Sequence, residues 1–430
     1  MTAIDRFTAA TSSPDLVPAF RDALQARWGE GVNIAALEVT RVFPRRDGGA
    51  SIHYAAQARE NESRRWSSLA LAAHMVAPGQ DVVESTDRDA FAIEELGMTV
   101  YAFPFDPVLH RLADLASPET IPTVLESLEW IEGPVPRSAR VIQSSVLGYR
   151  LEKRCVFRVL VDQSRSDGPR AVRELVVKVA LPRAARRAHA GLDHLRKAGL
   201  PDRWTARWPT SLAVDPDRGV RVMEFIAAPP IHNMFSSGPL VEACESAANA
   251  LADLHEVDGH GLKERHLDDE LESVRLAVAC ASWARPEWRG HLIDSMELAA
   301  ERLRALAPER SCCIHGDYYD KQVLYQDGET VVLDLDGLVS GDPGQDVGNF
   351  DAHLRLRALQ HPECANRIAR ARQRFVNSYA SRNPRAALRR GAWESMSLVR
   401  LAALYSLRPQ WRQLTAPLLY MAAGKEITNP

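Results

Sequence analysis

The chain has 430 residues, of which 46% are hydrophobic and 25% charged, as in ordinary globular proteins. Lys and Arg number 53 and Asp and Glu 56, so the net charge of -3 excludes a global positive field for nucleic acid. We find no apolar run near the ~20 residues of a membrane helix, and the first residues lack the basic and apolar regions of a signal peptide. We therefore expect a cytoplasmic protein with no membrane or nucleic-acid partner.

The length predicts two or three hydrophobic cores. The six cysteines form no Cys-x-x-Cys pair, so neither a zinc site nor a disulfide framework is indicated.

The first third of the chain predicts an accessory α+β domain over residues 1–135. Apolar residues recur every four positions from Leu16 to Trp28, which predicts one amphipathic helix within residues 1 to about 30. Two β-branched or apolar runs flank Asp47-Gly48-Gly49, a hairpin signal, and a further strand over 97–103 is followed by prolines. Residues 132–136 are typical of a linker.

The next segment, 136–226, predicts a small β-rich lobe with the same order of elements. Strands are expected over 141–146, 155–161, 174–180 and 219–226, with a helix over 183–198 before the last strand. The earlier segment carries Leu71 at about the place of Lys178. Two interpretations stay open: residues 30–130 are a degenerate copy of this lobe, or unrelated strand hairpins look alike.

The remaining residues, 227–430, predict a helical lobe that contains one β-rich insertion. Val323-Leu324-Tyr325 and Val331-Val332-Leu333 are short apolar runs, and the Asp327-Gly328 pair between them indicates a hairpin. Asp317 lies in the loop before the first run and Asp334 ends the second. A carboxylate that accepts a hydroxyl proton, beside oxygen ligands for Mg²⁺, is what phosphoryl transfer requires.

Two motifs in this insertion resemble those of the aminoglycoside phosphotransferase and choline kinase superfamily. His315-Gly316-Asp317-x4-Gln322 is similar to its His-Gly-Asp-x4-Asn catalytic loop, with Gln in place of Asn. Leu333-Asp334, followed by Gly341-Asp342-Pro343 and Asp346, is similar to its metal-binding motif. The resemblance implies a protein-kinase-like two-lobed α+β fold that uses ATP and Mg²⁺. It implies that Asp317 is the catalytic base, that Asp334 and Gln322 bind Mg²⁺, and that Asp342 and Asp346 are structural.

The same resemblance suggests a nucleotide site in the small lobe. Lys178, inside an apolar strand, would contact the phosphates, because a buried Lys needs a negative partner. Met223, Glu224, Phe225 and Ile226 would form the hinge that binds adenine. The helix over 183–198 lacks the Glu that usually pairs with the Lys, and Asp193 is a possible substitute.

The turn over 148–154 would cover the phosphates, and two interpretations of its basic residues stay open. In the first interpretation, Arg150, Lys153 and Arg154 contact phosphates; in the second, they form a basic turn that faces water. No Gly-x-x-x-x-Gly-Lys-Ser/Thr motif is present, which excludes a P-loop NTPase.

The sequence thus predicts a small-molecule O-phosphotransferase that moves the γ-phosphoryl group of ATP to a hydroxyl of an antibiotic, sugar or amino alcohol. The alternative is a nucleotide-binding regulatory pseudokinase, which Gln322 and the missing helix Glu support and the intact Asp317 and Asp334 oppose. The acceptor and the oligomeric state stay open.

Overall fold

A computed structural model describes residues 1–12, 14, 16–28, 32–60, 67–82, 90–132, 140–162, 172–200, 204–307 and 309–425. In chain order the α-helices among these residues are α1 (Ala3–Ser12), α2 (Leu16–Trp28), α3 (Leu112–Ala116), α4 (Ile121–Glu126), α5 (Pro182–Lys197), α6 (Leu240–Glu256), α7 (Leu267–Ala284), α8 (Arg289–Arg304), α9 (Gly344–Gln360), α10 (Ala365–Arg382), α11 (Pro384–Ser406) and α12 (Thr415–Ala422). The strands are β1 (Val32–Pro44), β2 (Ala50–Glu60), β3 (Ser67–Met75), β4 (Ala90–Ile93), β5 (Met98–Ala102), β6 (Glu129–Trp130), β7 (Arg140–Arg150), β8 (Arg154–Asp162), β9 (Val172–Ala180), β10 (Ser211–Asp215), β11 (Val220–Glu224), β12 (Cys312–Ile314), β13 (Val323–Gln326), β14 (Glu329–Val332) and β15 (Val339–Gly341).

The chain forms two compact units, each assembled from separate segments. The first unit comprises Met1–Asp106, Leu267–Ala305 and Ser395–Pro430, and the second comprises Pro107–His266 and Leu306–Glu394. The boundary predicted after residue 135 lies outside the described residues, as does most of the predicted linker over 132–136. The three-domain division of the sequence therefore stays a prediction.

The first unit contains a five-stranded antiparallel sheet of order β1-β2-β3-β5-β4. Its N-terminal region forms two helices, α1 and α2, where the sequence predicted one. Leu16, Phe20 and Leu24 are buried, so the apolar face expected from their spacing is confirmed for α2. Burial of these side chains stabilises the helix by roughly 1.5–3 kcal/mol for each large residue.

Helices from later in the chain belong to the same unit. On α7, the Trp283 indole N–H donates to the Gly48 carbonyl at 2.9 Å. The Trp283 ring also meets Phe7 of α1 edge-on, with ring centroids 5.5 Å apart. Near α12, Arg412 donates to the Ser12 hydroxyl at 2.6 Å. These contacts join the N-terminal helices to segments more than 200 residues away.

The second unit contains a six-stranded antiparallel sheet of order β6-β10-β11-β9-β8-β7, with α5 between β9 and β10. Beside it lies a helical part in which the apolar faces of α6, α9 and α10 share one core with the loops before α6 and after β12. Two short hairpin-like ladders, β12 with β15 and β13 with β14, lie in this part. The predicted α+β fold, with a β-rich lobe, a helical lobe and an extra N-terminal α+β segment, is confirmed.

The two large sheets have the same strand order apart from the added edge strand β6, which supports the interpretation of a degenerate copy. In both sheets the first strand contains two bulges, between Ile34/Ala36 and Val39/Arg41 in β1 and between Val141/Gln143 and Val146/Gly148 in β7. Such matching irregularities are hard to produce by chance, because each inserts one residue at a defined place in a ladder.

The strand register corrects one detail of this interpretation, the pairing of Leu71 with Lys178. Val76 N–H donates to Gly97 O at 3.0 Å, and Ala180 N–H donates to Gly219 O at 2.9 Å, so these bonds are equivalent. The residue two positions before the donor is His74 in β3 and Lys178 in β9. The counterpart of Lys178 is therefore His74. Sequence spacing missed this because it cannot measure the lengths of the turns that precede each strand.

No helix in the described part of the chain is long and apolar enough to cross a bilayer. All six cysteines are described, and each is a buried free thiol.

Candidate active site

The loop that follows β12 is held rigidly by one buried carboxylate. Asp346, at the start of α9, accepts hydrogen bonds from the backbone N–H groups of His315 at 2.7 Å and Gly316 at 2.8 Å. Gly316 has φ +77°, and a Cβ there would lie 2.6 Å from the Arg265 guanidinium. Only glycine suits this position, since it adopts a left-handed conformation and brings no side chain.

Asp346 is connected to the helical core through His255 of α6. His255 Nε2 lies 3.2 Å from Asp346 Oδ2, and His255 Nδ1 lies 2.6 Å from the Tyr379 hydroxyl. Burial raises the pKa of Asp346, but the hydrogen bond and charge of His255, with the hydrogen bond from the His315 backbone N–H, outweigh it and lower the pKa below its usual range. Asp346 therefore remains an anion and fixes the loop.

The side chain of His315 links this loop to the end of β14. Its Nε2 lies 2.8 Å from the Leu333 carbonyl, which can only accept, so Nε2 carries the proton. Its Nδ1 then accepts from the backbone N–H of Asp317 at 3.3 Å. Because Leu333 immediately precedes Asp334, one imidazole sets the position of Asp317 relative to Asp334. The Asp317 carboxylate is exposed at the surface of the loop.

The second predicted acid follows the hairpin that the sequence indicated. Gln326 pairs with Glu329, and Asp327 and Gly328 form the turn with φ values of 52° and 88°. Asp334 also has a left-handed backbone, with φ 58° and ψ 40°, which is uncommon outside glycine. This conformation ends the strand and lets the chain continue into the short turn at 335–337.

Asp334 meets two cations from the β-rich lobe. Lys178 Nζ donates to its Oδ1 at 2.7 Å and Arg154 Nη1 donates to its Oδ2 at 2.8 Å. Burial raises the pKa of Asp334, but Lys178 and then Arg154 outweigh it and hold the pKa well below its usual range. The buried Lys178 thus has the negative partner that its place in an apolar strand requires.

A second carboxylate, Asp336, shares this cluster and was not identified from the sequence. It forms an ion pair with Lys178, and Arg221 Nη2 donates to its Oδ1 at 2.6 Å. Burial raises the pKa of Asp336, but Lys178 and Arg221 lower it below its ordinary value. The available signal was a second acid only two residues after Asp334, at the end of the same predicted strand.

The sheet register explains why these cations converge. Lys178 on β9 is the cross-strand partner of both Arg221 on β11 and Val156 on β8. Cross-strand partners share a face of the sheet, and Arg154, two residues before Val156, lies on the same face. The three cations therefore form one basic surface opposite Asp334 and Asp336.

Asp193, a possible substitute for the missing helix Glu, does not contact Lys178. It pairs with Arg196 at 3.3 Å and lies 3.8 Å from His189 on the same helix. The acidic partners of Lys178 come from the segment after β14.

Gln322 is buried between the loop and the hairpin, with 9% of its surface exposed. Its backbone carbonyl accepts from the Leu333 N–H at 2.8 Å, which joins it to the strand before Asp334. Among the described residues no group of three or more His, Cys, Asp or Glu side chains could hold a metal ion. This does not disagree with Mg²⁺, which proteins often bind through one or two carboxylates while phosphates and water supply the remaining ligands. The carboxylates of Asp334 and Asp336, which both bind Lys178, fit that chemistry.

The four predicted hinge residues follow or end β11, the strand that also carries Arg221. The Glu224 carboxylate accepts from the Thr210 N–H at 2.8 Å, and the Phe225 N–H donates to the Glu174 carbonyl at 3.4 Å. The Arg158 guanidinium lies 4.4 Å from the centre of the Phe225 ring. Met223 and Ile226 are half-buried, and their contact with adenine stays a prediction.

The geometry defines a class of protein: a β-rich lobe supplies cations, and a helical lobe supplies a rigid acidic loop and paired acids. Residues 158–389, more than half of the chain, match the family described as the phosphotransferase enzyme family. The chain belongs to this family, which confirms the predicted superfamily and the prediction of a phosphotransferase enzyme.

Similar proteins include a methylthioribose kinase of Geobacillus thermodenitrificans, 36% identical over 75 residues, or 17% of this chain and 19% of the relative. The match thus spans about a fifth of that relative's length. A choline/ethanolamine kinase family protein from Mesorhizobium loti matches with a TM-score of 0.47 and 16% identity, over 71% of this chain and 93% of its own. An amicoumacin kinase, hAmiN, solved with AMP-PNP and Ca²⁺, has a TM-score of 0.47 and 13% identity, over 74% of this chain and 96% of its own.

Proposed function

We propose that this protein transfers the γ-phosphoryl group of ATP to a hydroxyl group of a small molecule in a reaction that depends on Mg²⁺. The observation that carries the proposal is the arrangement of Asp317 and Asp334 about His315, with Lys178 bound to Asp334 from the opposite lobe. Phosphoryl transfer depends mainly on positioning and charge stabilisation, and this arrangement offers both.

Asp317 is the proposed base. Its exposed carboxylate accepts the proton of the acceptor hydroxyl while the new oxygen–phosphorus bond forms. The bond from the γ-phosphorus to the bridging oxygen breaks, and ADP leaves with that electron pair. The hydrogen bond from the Asp317 N–H to His315 keeps the carboxylate in place through this step.

Asp334 and Gln322 are the proposed Mg²⁺ ligands. When bound, Mg²⁺ neutralises charge on the phosphate oxygens and orients them. Lys178, held in β9, adds a second positive charge toward the phosphates, and Met223, Glu224, Phe225 and Ile226 line the adenine site in this proposal.

The acceptor class is the least constrained part of the proposal. The methylthioribose kinase match supports a small molecule that carries a hydroxyl, such as a sugar, and antibiotics and amino alcohols remain in the same class. A screen of such acceptors that measures ADP release would identify the group.

Two substitutions test the proposal. We expect Asp317→Ala to lower kcat by about 10²–10⁴-fold, because a general base contributes that much, while nucleotide affinity stays near that of the wild type. We expect Asp334→Ala to lose Mg²⁺-dependent nucleotide binding in titration calorimetry. Asp327→Asn, a change in an exposed turn, is the matched control and leaves both quantities unchanged.

Unchanged turnover in Asp317→Ala would refute the base assignment, and retained Mg²⁺-dependent affinity in Asp334→Ala would refute the metal assignment. Wild-type protein that binds nucleotide equally well with and without Mg²⁺, and transfers phosphate to no acceptor, would favour the regulatory pseudokinase instead.

A further inference from the structure

The β7–β8 turn has a composition that does not suit a phosphate-covering turn built on backbone N–H groups. Residues 151–153 between the strands are Leu, Glu and Lys, with Leu151 buried and Glu152 in a left-handed conformation at φ 58°. A turn that cradles phosphate by its backbone needs glycines so that the ligand can approach closely. Here the charged side chains at the ends of the turn, Arg150 and Arg154, are paired across the hairpin.

Arg154, at the start of β8, binds Asp334 directly. Its Nη1 lies 2.8 Å from Asp334 Oδ2, and its side chain is 44% exposed, whereas that of Lys178 is 8% exposed. An exposed side chain of this length can change its partner at little cost, while a buried Lys in a strand cannot. Arg150 lies close by: burial and the charge of Arg154 lower its pKa, and Asp317 opposes them.

The two carboxylate oxygens of Asp334 are held by different cations, one by Lys178 and the other by Arg154. A metal ion on Asp334 would take the place of at least one of these cations, because like charges repel at such distances. Lys178 has a second acidic partner in Asp336 and stays anchored. Among the described residues, Arg154 forms its ion pair with Asp334, while Asp336 and Asp317 act on its charge from farther away. Because it lacks a second direct carboxylate contact among these residues and is more exposed than Lys178, Arg154 is the cation that leaves.

We propose that Arg154 is an exchangeable phosphate-binding residue, which competes with the metal ion for Asp334 and transfers its guanidinium to phosphate oxygens once Asp334 holds the ion. This inference rests on the proposed function and adds a positioning residue to it. A guanidinium suits the task, because its planar donors match phosphate oxygens in a bidentate manner. The exchange also keeps the charge of the cleft balanced, because the Arg154 guanidinium that leaves Asp334 pairs with a phosphate.

The test measures two affinities that the exchange moves in opposite directions. In Arg154→Ala, we expect Mn²⁺ alone, followed by electron paramagnetic resonance, to bind about tenfold more tightly, because its competitor on Asp334 is gone. We expect AMP-PNP with Mg²⁺, followed by calorimetry, to bind about tenfold more weakly, because a charge-assisted contact to phosphate is lost. A residue with a merely structural role would not strengthen one affinity while weakening the other.

Arg218→Ala is the matched control. The Arg218 side chain is 49% exposed, similar to that of Arg154, and lies in the β10–β11 turn of the same sheet. Among the described residues, its ion-pair partner is Asp215. We expect it to leave both affinities unchanged. Arg154→Lys, which keeps the charge without the planar fork, should restore the Mn²⁺ affinity toward wild type and recover only part of the nucleotide affinity.

Unchanged or weaker Mn²⁺ binding in Arg154→Ala, or unchanged nucleotide affinity, would overturn the inference. These results are distinguishable from failure of the proposed function through Asp334→Ala. If Asp334→Ala loses Mg²⁺-dependent nucleotide binding and Arg154→Ala does not alter it, only the inference fails. If Asp334→Ala also binds normally, the proposed metal site fails as well.

Discussion

Removal of the Asp346 charge tests whether this carboxylate organises the loop that carries Asp317. Asp346 is fully buried and accepts from His315 N, Gly316 N and His255 Nε2 at 2.7, 2.8 and 3.2 Å. Asp346→Asn keeps the size of the side chain but turns one acceptor into a donor that faces another donor. A hydrogen bond to a charged group contributes about 1.5–3 kcal/mol, so we expect the free energy of unfolding to fall by about 2–3 kcal/mol.

The assay is urea unfolding at pH 7 with turnover measured in parallel, and Asp327→Asn makes the same chemical change at an exposed turn. We expect Asp327→Asn to stay within about 0.5 kcal/mol of the wild type. Asp346→Ala, which leaves three buried donors without an acceptor, should lose about 3–5 kcal/mol. A change below about 0.5 kcal/mol in Asp346→Asn would refute this role.

The contribution of Asp346 to the free energy of unfolding should also depend on pH. The pKa of Asp346 is lowered in the folded protein, so its contribution is present above the unfolded-state pKa of about 3.9 and is lost as pH falls through the folded pKa. The difference between wild type and Asp346→Asn should therefore narrow below about pH 4. A difference that stays constant across this range would show that the charge is not the cause.

Two further predictions concern the same cleft. Gly316→Ala places a Cβ 2.6 Å from the Arg265 guanidinium at φ +77°, so we expect about 1–2 kcal/mol of backbone strain, a lower melting temperature and slower turnover. The same change at Gly290, an open position in α8, should lower neither the melting temperature nor the turnover. Lys178→Met removes the cation that Asp334 and Asp336 share and leaves each with one arginine, so the pKa values of both carboxylates should rise in the folded state. The loss of stability relative to the wild type should therefore be larger at pH 8, where both carboxylates are ionised, and smaller toward pH 4; thermal unfolding from pH 4 to 8 that parallels the wild type would contradict this reasoning.

The parts of the site that sequence reasoning predicted are local in the chain. Residues only a few positions apart specify the Asp327-Gly328 turn, its flanking strands and the positions of Asp317 and Asp334. The chemistry of these side chains can be recognised from the sequence before the fold is known. The strand around Lys178 was recognisable because a single charge among apolar residues demands a partner.

The identity of that partner was decided by the tertiary structure. Because α5 lacks a Glu, the sequence left the acidic partner of Lys178 unidentified. Asp336, more than 150 residues away in the chain, provides the second carboxylate. The hydrogen bonds from Tyr379 through His255 to Asp346 could not be predicted from the sequence either, since they join three helices that meet through their buried apolar faces.

Most of the elements, the two acidic motifs and the class of chemistry could be predicted from the sequence, because they depend on local pattern and residue type. Packing of the chain is needed to show which charges meet, that His74 rather than Leu71 corresponds to Lys178, and that segments 267–305 and 395–430 form a unit with the N-terminal sheet. The physical reason is the same in each case. The hydrophobic effect is not directional. The sequence pattern therefore shows which face of an element is buried, but only the folded structure shows which other element that face packs against.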